Sequence, residues 1–298
     1  MAVNKKLLLI VNPKAGMQAS SKGLCAMADV FCAAGFELSL RITQGRFDAC
    51  ETVKNIGEGF DYIVCSGGDG TLNEVVSGVL SLSKQPLIGY IPSGSTNDFA
   101  SNLGLAKNDF KGGAKRIIEG TPRAVDVGLI GNRYFSYTAS FGAFTAITYT
   151  TPQNVKNILG RAAYFLEAPK DLTSLRPYKV KVTDKEGNIK ENEYVFGCIA
   201  NTLTMAGILN LDGLNVALDD GNFECLLIKM PSNAIELNEI VTALVTQDFS
   251  CPHFDILKSS EFSVEFDSDV DWTIDGEHGA FGANVNIMAL PKAIKIVV

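Results

Sequence analysis

The sequence of 298 residues predicts an α/β domain followed by a mainly antiparallel β domain, because the pattern of its apolar residues changes near residue 121. Before that point, short apolar runs alternate with segments whose apolar residues recur every three or four positions, as in β–α units that build a parallel sheet. Beyond it, β-branched and aromatic runs such as Arg133–Ala139 are separated by glycine-containing turns, as in antiparallel strands. We therefore expect an α/β domain at residues 1–122 and a β-sandwich domain at 123–289, with 290–298 returning to the first domain.

Four strands and five helices are expected in the first domain. Lys6–Val11 and Tyr62–Cys65 are apolar and suit buried parallel strands, whereas Phe36–Thr43 alternates apolar with polar residues as a half-exposed strand does. The other elements are a strand at Pro86–Ile91 and helices from Ser20 or Ser21 to about Gly35, from Asp48 to about Asn55, over Leu72–Leu82, from Phe99 onwards with Asp98 as its cap, and over Asp109–Glu119.

Residues 66–71, with the sequence Ser-Gly-Gly-Asp-Gly-Thr, join the third strand to a helix. Glycines let the backbone close on an anion, and the first N–H groups of a helix are free to bind it. A carboxylate such as Asp69 repels phosphate unless a cation lies between them or unless amide or hydroxyl groups donate to it. We interpret Asp69 as a sign of a nucleotide with a divalent metal. The sequence has neither the P-loop spacing nor a dinucleotide fingerprint at this helix.

Polar turns also follow the other three strands. Gly94-Ser95-Thr96-Asn97 offers two hydroxyl groups and a glycine for close approach, which suits phosphate or ribose oxygens. Asn12 follows the first strand, and Thr43 ends the second. Because ligands of open α/β sheets bind at the carboxyl ends of the strands, we expect these turns to form one nucleotide site.

Composition limits the partners of this protein. A formal net charge of −7 without a block of Lys or Arg argues against a nucleic-acid partner. Seven cysteines without a Cys-x-x-Cys pattern indicate reduced thiols in the cytoplasm, and the presence of only two histidines without a Cys/His cluster argues against a zinc site. The apolar run after Lys6 ends at Asn12-Pro13 and is a strand rather than an export signal. No stretch approaches the roughly 18–20 apolar residues that a spanning helix needs.

Two of these motifs resemble those of a known family. Gly67–Thr71 resembles the Gly-Gly-Asp-Gly-Thr signature of NAD kinases, diacylglycerol kinases, and sphingosine and ceramide kinases. Ile91–Ala100 resembles the second motif of the lipid-kinase branch alone, with Ser95 where the family usually has threonine. Over nearly its whole length the chain is similar to the bacterial diacylglycerol kinase-like lipid kinases. The resemblance implies a kinase that transfers the γ-phosphate of ATP to a lipid hydroxyl, with diacylglycerol the leading substrate and an active site in the cleft between the domains.

The resemblance also assigns residues to ATP, magnesium and catalysis. Asp275-Gly276-Glu277 resembles the family motif that supplies the general base, since a carboxylate can take the proton of a lipid hydroxyl. On an extended strand Asp275 and Glu277 would share a face, which leaves open which of them is the base; the alternative for the motif is a two-residue loop apex. The nucleotide residues are Asn12, Thr43, Ser66, Gly67, Gly68, Asp69, Gly70, Thr71, Gly94, Ser95, Thr96 and Asn97.

Two further expectations concern metal and membrane. The Asp-Asp-Gly turn at Ala217–Asn222 resembles a family turn in which Asp220 and the backbone carbonyls of Ala217 and Asn222 hold a structural Mg²⁺; the alternative is a turn with solvated carboxylates. Lys156–Lys170 is a candidate interfacial helix with a basic rim, the alternative being a helix packed on the core. A cytoplasmic enzyme with a lipid substrate would contact the inner face of the membrane transiently. A homodimer, an NAD kinase and a catalytically silent nucleotide- or lipid-binding protein remain open.

Overall fold

The structure is a computed structural model that describes residues 5–142, 175–202, 204–205, 209–210 and 216–298. The candidate interfacial helix at Lys156–Lys170 lies outside the described residues. The chain divides into two compact units, one formed by Met1–Val127 with Pro291–Val298 and the other by Gly128–Leu290.

A parallel sheet forms the centre of the first unit. Its strands are β1 (Lys6–Val11), β2 (Glu37–Ile42), β3 (Tyr62–Gly67) and β4 (Leu87–Pro92). They lie in the order β2-β1-β3-β4, and the last strand of the chain pairs parallel with β4 through Ile296 and Ile88. In this order the chain passes from β1 to β2 towards one edge of the sheet and from β3 to β4 towards the opposite edge. The carboxyl ends of β1 and β3 therefore mark the topological switch point, where open α/β sheets bind ligands.

Helices cover both faces of this sheet. They are α1 (Ala19–Ala33), α2 (Asp48–Ile56), α3 (Asp69–Leu80), α4 (Asp98–Asn102) and α5 (Phe110–Glu119), with short 3₁₀ turns at Ala15–Gln18 and Gly57–Gly59. Val64 packs against α1 and α5 through Phe31 and Ile117, whereas its neighbour Ile63 faces Gly57 after α2. Successive strand residues point to opposite faces, so the apolar run of β3 is buried on both sides as predicted.

The second unit is mainly antiparallel, as predicted. Its strands are β5 (Pro122–Ile130, which begins in the first unit), β6 (Arg133–Phe135), β7 (Thr138–Gly142), β8 (Tyr178–Asp184), β9 (Ile189–Ala200), β10 (Thr204–Met205), β11 (Leu209–Asn210), β12 (Phe223–Lys229), β13 (Phe254–Ser259), β14 (Glu261–Phe266), β15 (Val270–Ile274), β16 (Glu277–Phe281) and β17 (Asn284–Val297, which ends in the first unit). Phe141, Phe266 and Trp272 meet edge to face in its core, with ring centroids 4.9–6.1 Å apart.

Two features of this unit differ from the expectation. A helix, α6 (Ala234–Thr246), packs Ile240 and Leu244 against the face of β9 and β12 that points away from the aromatic core. The predicted strand Arg133–Ala139 is two strands, because the backbone N–H groups between them bond to a side chain instead of a neighbouring strand. None of the helices in the described part of the chain is long and apolar enough to cross a membrane.

Candidate active site

Two glycine-containing loops lie side by side at the carboxyl ends of β3 and β4. We call residues 66–71 the first glycine loop and residues 93–97 the second. The Ser93 amide donates to the Gly67 carbonyl at 2.8 Å, and a Cβ added to Gly94 would lie only 2.4 Å from Cα of Gly68. Backbone therefore packs directly on backbone, and the glycines are needed for this approach whether or not a ligand is bound.

Asp69 joins the two loops. It is the first residue of α3, and its carboxylate accepts hydrogen bonds from the amides of Asp98 (3.1 Å) and Phe99 (3.3 Å), which begin α4. Burial raises the pKa of Asp69, and the amide donors oppose that rise. The expectation that Asp98 caps a helix starting at Phe99 is wrong, since α4 begins at Asp98 and Asp69 accepts from its first amides. The sequence leaves two ways to accommodate a carboxylate beside phosphate: a cation between them, or amide or hydroxyl groups that donate to the carboxylate. In the structure, backbone amides donate to Asp69.

Asn97 shapes the second glycine loop from within. Its side chain is buried, and its backbone is left-handed (φ 58°). Asn97 Oδ1 accepts a hydrogen bond from the backbone amide of Gly94 at 2.8 Å, and Asn97 Nδ2 donates to the Gly94 carbonyl at 2.9 Å. Ser95 and Thr96 are exposed at the apex, and the Lys107 ammonium donates to the Ser95 carbonyl at 2.6 Å. The loop therefore presents two hydroxyl groups beside a positive charge, a combination that suits phosphate oxygens.

Asn12 ties the end of β1 to the first glycine loop at the switch point. Its backbone N–H donates to the Ser66 carbonyl at 2.9 Å, and its side-chain Nδ2 donates to Oγ1 of Thr71 at 2.9 Å. Thr43 follows β2, and its amide donates to the Val11 carbonyl at 2.9 Å. The structure thus brings the predicted nucleotide residues of the first unit to one edge of the sheet. Beside Thr43, an open groove of about 480 Å³ lies between the end of β2 and α2.

In the second unit, Asp275 and Gly276 form a two-residue hairpin between β15 and β16. Both have positive φ (46° and 81°), and Ile274 pairs with Glu277, as in the type I′ turn that Asp-Gly favours. The Asp275 side chain is 4% exposed and accepts three backbone hydrogen bonds that span the break between β6 and β7. The donors are the amides of Ser136 (2.6 Å), Tyr137 (3.0 Å) and Thr138 (3.1 Å).

Glu277 has a different environment from Asp275. Its side chain is 38% exposed, and Nη2 of Arg133 lies 3.9 Å from its Oε2. The guanidinium of Arg133 is fixed by a 3.0 Å hydrogen bond from Nη1 to the His278 carbonyl. The expectation that both acids share a face of an extended strand is wrong, because the positive-φ turn separates them. The carboxylate of Glu277 is therefore accessible to solvent, whereas the carboxylate of Asp275 is buried and accepts hydrogen bonds from backbone amides.

The Asp-Asp-Gly turn does not fit a divalent cation. Asp220 and Asn222 lie together in the turn, where the Asn222 amide donates to Asp220 Oδ1 at 2.9 Å, and Ala217 precedes them. The other oxygen of Asp220 lies 2.8 Å from the ammonium of Lys258. Mg²⁺ requires near-octahedral oxygen ligands at about 2.0–2.1 Å, and an ammonium at this distance would repel it. The described residues contain no group of three or more His, Cys, Asp or Glu side chains that could hold a metal ion.

Glycine loops at the carboxyl ends of parallel strands are typical of proteins that bind phosphate groups, and comparison with known proteins identifies the family. The model of the diacylglycerol kinase catalytic domain family matches residues 6–130. The chain is 32% identical to the diacylglycerol kinase of Bacillus subtilis strain 168, covering 95% of this chain and 94% of that protein. It is also 32% identical to the diacylglycerol kinase of Staphylococcus aureus strain JH9, covering 93% and 87%. The chain belongs to the diacylglycerol kinase family, whose members transfer phosphate to a hydroxyl group.

Solved structures share the fold. One from Bacillus anthracis strain Sterne is 23% identical with a TM-score of 0.84, covering 98% of this chain and 95% of that one. A second from the same strain, described as a diacylglycerol kinase, is 22% identical with a TM-score of 0.78, covering 100% and 98%. At these identities the likeness supports the fold: parallel strands in the N-terminal part of the chain and antiparallel strands in the C-terminal part.

Three charged residues at these sites were not found from the sequence: Lys107, Arg133 and Lys258. Each is a single basic residue whose partner lies in another segment of the chain; Lys107 and Ser95 are 12 positions apart, and Arg133 and His278 are 145 positions apart. Spacing rules give no signal for such contacts. The turn at Asp275-Gly276 did carry a signal, because Asp-Gly directly after the β-branched and aromatic run Trp272–Ile274 is typical of a two-residue hairpin.

The contact between the glycine loops predicts the effect of Gly94→Ala. The added methyl would overlap the backbone of Gly68, so we expect the free energy of unfolding to fall by ~1–3 kcal/mol, as for an overpacked core. Gly59→Ala is the matched control, because nothing lies within 4 Å of its Cβ position. Chemical denaturation of both variants measures the effect. Equal stability of the two would contradict the loop-on-loop packing.

Proposed function

We propose that the chain is an ATP-dependent diacylglycerol kinase that transfers the γ-phosphate of ATP to the free hydroxyl of diacylglycerol and forms phosphatidic acid. The observation that carries the proposal is the pair of glycine loops packed together at the carboxyl ends of β3 and β4, with exposed hydroxyls at the apex of the second loop. The relatives from Bacillus subtilis and Staphylococcus aureus, both named diacylglycerol kinase, support the choice of acceptor.

The first unit would bind the nucleotide. The N-terminal turn of α3 offers backbone N–H groups and the positive end of a helix dipole to the phosphates, and Lys107 adds a positive charge near Ser95 and Thr96. Mg²⁺ would arrive as part of the MgATP substrate, where it neutralises charge on the phosphates. The groove beside Thr43 exposes Leu40 and Ile42, which suit the apolar faces of a nucleoside.

The second unit would supply the general base, and Glu277 is the better candidate of the two acids. Its carboxylate would take the proton of the lipid hydroxyl while the hydroxyl oxygen forms a bond to the γ-phosphorus. The bond from that phosphorus to its bridging oxygen breaks, ADP leaves, and Glu277 returns the proton to solvent. Asp275 would act as a positioning residue, because its carboxylate fixes the turn that presents Glu277.

A diacylglycerol substrate would bring the enzyme to a membrane surface. Its acyl chains keep it within the bilayer, so we propose that the protein contacts the cytoplasmic face of the membrane transiently and carries out the transfer there. The proposal needs no membrane-spanning segment.

A transfer assay tests the acceptor. The protein is incubated with γ-labelled ATP, Mg²⁺, NAD and detergent-dispersed diacylglycerol, and the products are separated by solvent extraction. We expect label in phosphatidic acid in the organic phase. Label on NAD would identify an NAD kinase, and no transfer to either acceptor by folded protein would favour a catalytically silent binding protein. Both of these results would contradict the proposal.

Substitution of the two acids tests their roles. Glu277→Gln should lower kcat by ~10²-fold or more and leave stability nearly unchanged, because an exposed ion pair contributes only ~0–1 kcal/mol. Asp275→Asn should lower the free energy of unfolding by ~2 kcal/mol, because one of its oxygens becomes an NH₂ donor facing backbone amides. Glu265→Gln is the control, since this carboxylate of the same unit is similarly exposed (45%) and pairs with Lys181.

Turnover and denaturation are measured on all three variants. If Glu277→Gln turns over at the rate of Glu265→Gln, the base lies elsewhere. If Asp275→Asn is as stable as the wild type, Asp275 does not hold the turn.

A further inference from the structure

Three charged side chains meet beside the Asp-Asp-Gly turn of the second unit. The ammonium of Lys258 lies 2.8 Å from Oδ2 of Asp220 and 2.9 Å from Oε1 of Glu224. One positive charge is therefore shared between two carboxylates, both within hydrogen-bonding distance.

Glu224 is the most buried member of this group. It is 2% exposed, and neither of its carboxylate oxygens has a well-aligned hydrogen bond within the part of the chain that the structure describes. A buried carboxylate is costly unless a charge of opposite sign compensates it. Lys258 supplies that charge as a close ion pair.

The backbone fixes the position of this ammonium. Glu224 on β12 and Lys258 on β13 are directly opposite each other in an antiparallel ladder, which places their Cβ atoms about 4.5–5.5 Å apart on the same face. Asp220 lies in the turn that enters β12. The lysine therefore reaches both acids without any rearrangement of the chain.

We propose that Lys258 is the cation of this turn and takes the place of the Mg²⁺ that the family resemblance implies at Asp220, Ala217 and Asn222. A metal ion on Asp220 would have to displace the ammonium, which would leave the buried Glu224 without its compensating charge. The stability of this chain is therefore independent of Mg²⁺ at the turn. The inference is separate from the proposed reaction, since it concerns no substrate-binding residue.

Metal content and thermal stability of the wild type test the proposal. Without nucleotide, we expect protein purified in Mg²⁺ to retain no stoichiometric magnesium after gel filtration, as measured by mass spectrometry of the metal. Its Tm should be the same in EDTA and in MgCl₂. About one retained Mg²⁺ per chain, or a Tm loss in EDTA that Asp220→Asn abolishes, would overturn the proposal.

A pair of lysine variants gives the second test. Lys258→Met should lower Tm by several degrees or prevent folding, because it leaves a buried carboxylate unpaired. Lys185→Met is the matched control, since its 2.9 Å ion pair with Glu261 is about half exposed on both sides and should matter little. If the Tm values of the two variants fall equally, Lys258 does not have the role proposed.

Discussion

In each of the two units, the loops at the predicted site depend on backbone N–H groups that donate to the side chain of one aspartate. Asp69 accepts from the amides of Asp98 and Phe99, and Asp275 accepts from those of residues 136–138. In one case the donors are at the start of a helix, and in the other they lie at the break between two strands. A hydrogen bond to a charged group contributes about 1.5–3 kcal/mol, and an unpaired buried amide costs a similar amount. Each carboxylate therefore holds a loop that the local sequence cannot hold alone.

In each unit, the residues that hold the loops in place differ from the polar residues at the surface. Asp69, Asn97 and Asp275 are engaged with the backbone, and Gly68 packs on Gly94. The groups left at the surface are the hydroxyls of Ser95 and Thr96, and the carboxylate of Glu277 beside Arg133. A loop that is fixed before its ligand arrives loses less conformational entropy on binding. Its hydrogen-bond donors are also already directed at the position where charge develops in the transition state.

Local patterns in the sequence predict most of the first unit. β1 covers Lys6–Val11 as the apolar run indicates, and α3 continues directly from the first glycine loop. The helix α6 is not among the predicted elements although Ile240, Val241 and Leu244 recur at helical spacing, because β-branched and aromatic runs typical of strands stand on both sides of it. The partners of Asp69, Asp275 and Lys258 follow from tertiary contacts between distant segments. No spacing rule contains that information.

Amide hydrogen exchange followed by NMR tests the central role of Asp69 most directly. In Asp69→Ala, the amides of Asp98 and Phe99 should lose protection relative to wild type, because their acceptor is gone. The Gly112 amide, which donates to Asp109, and the amides shared between β3 and β4 serve as internal references and should change only with global stability. Unchanged protection at Asp98 and Phe99 would contradict the account, since it would mean that the second glycine loop and α4 keep their structure without this carboxylate.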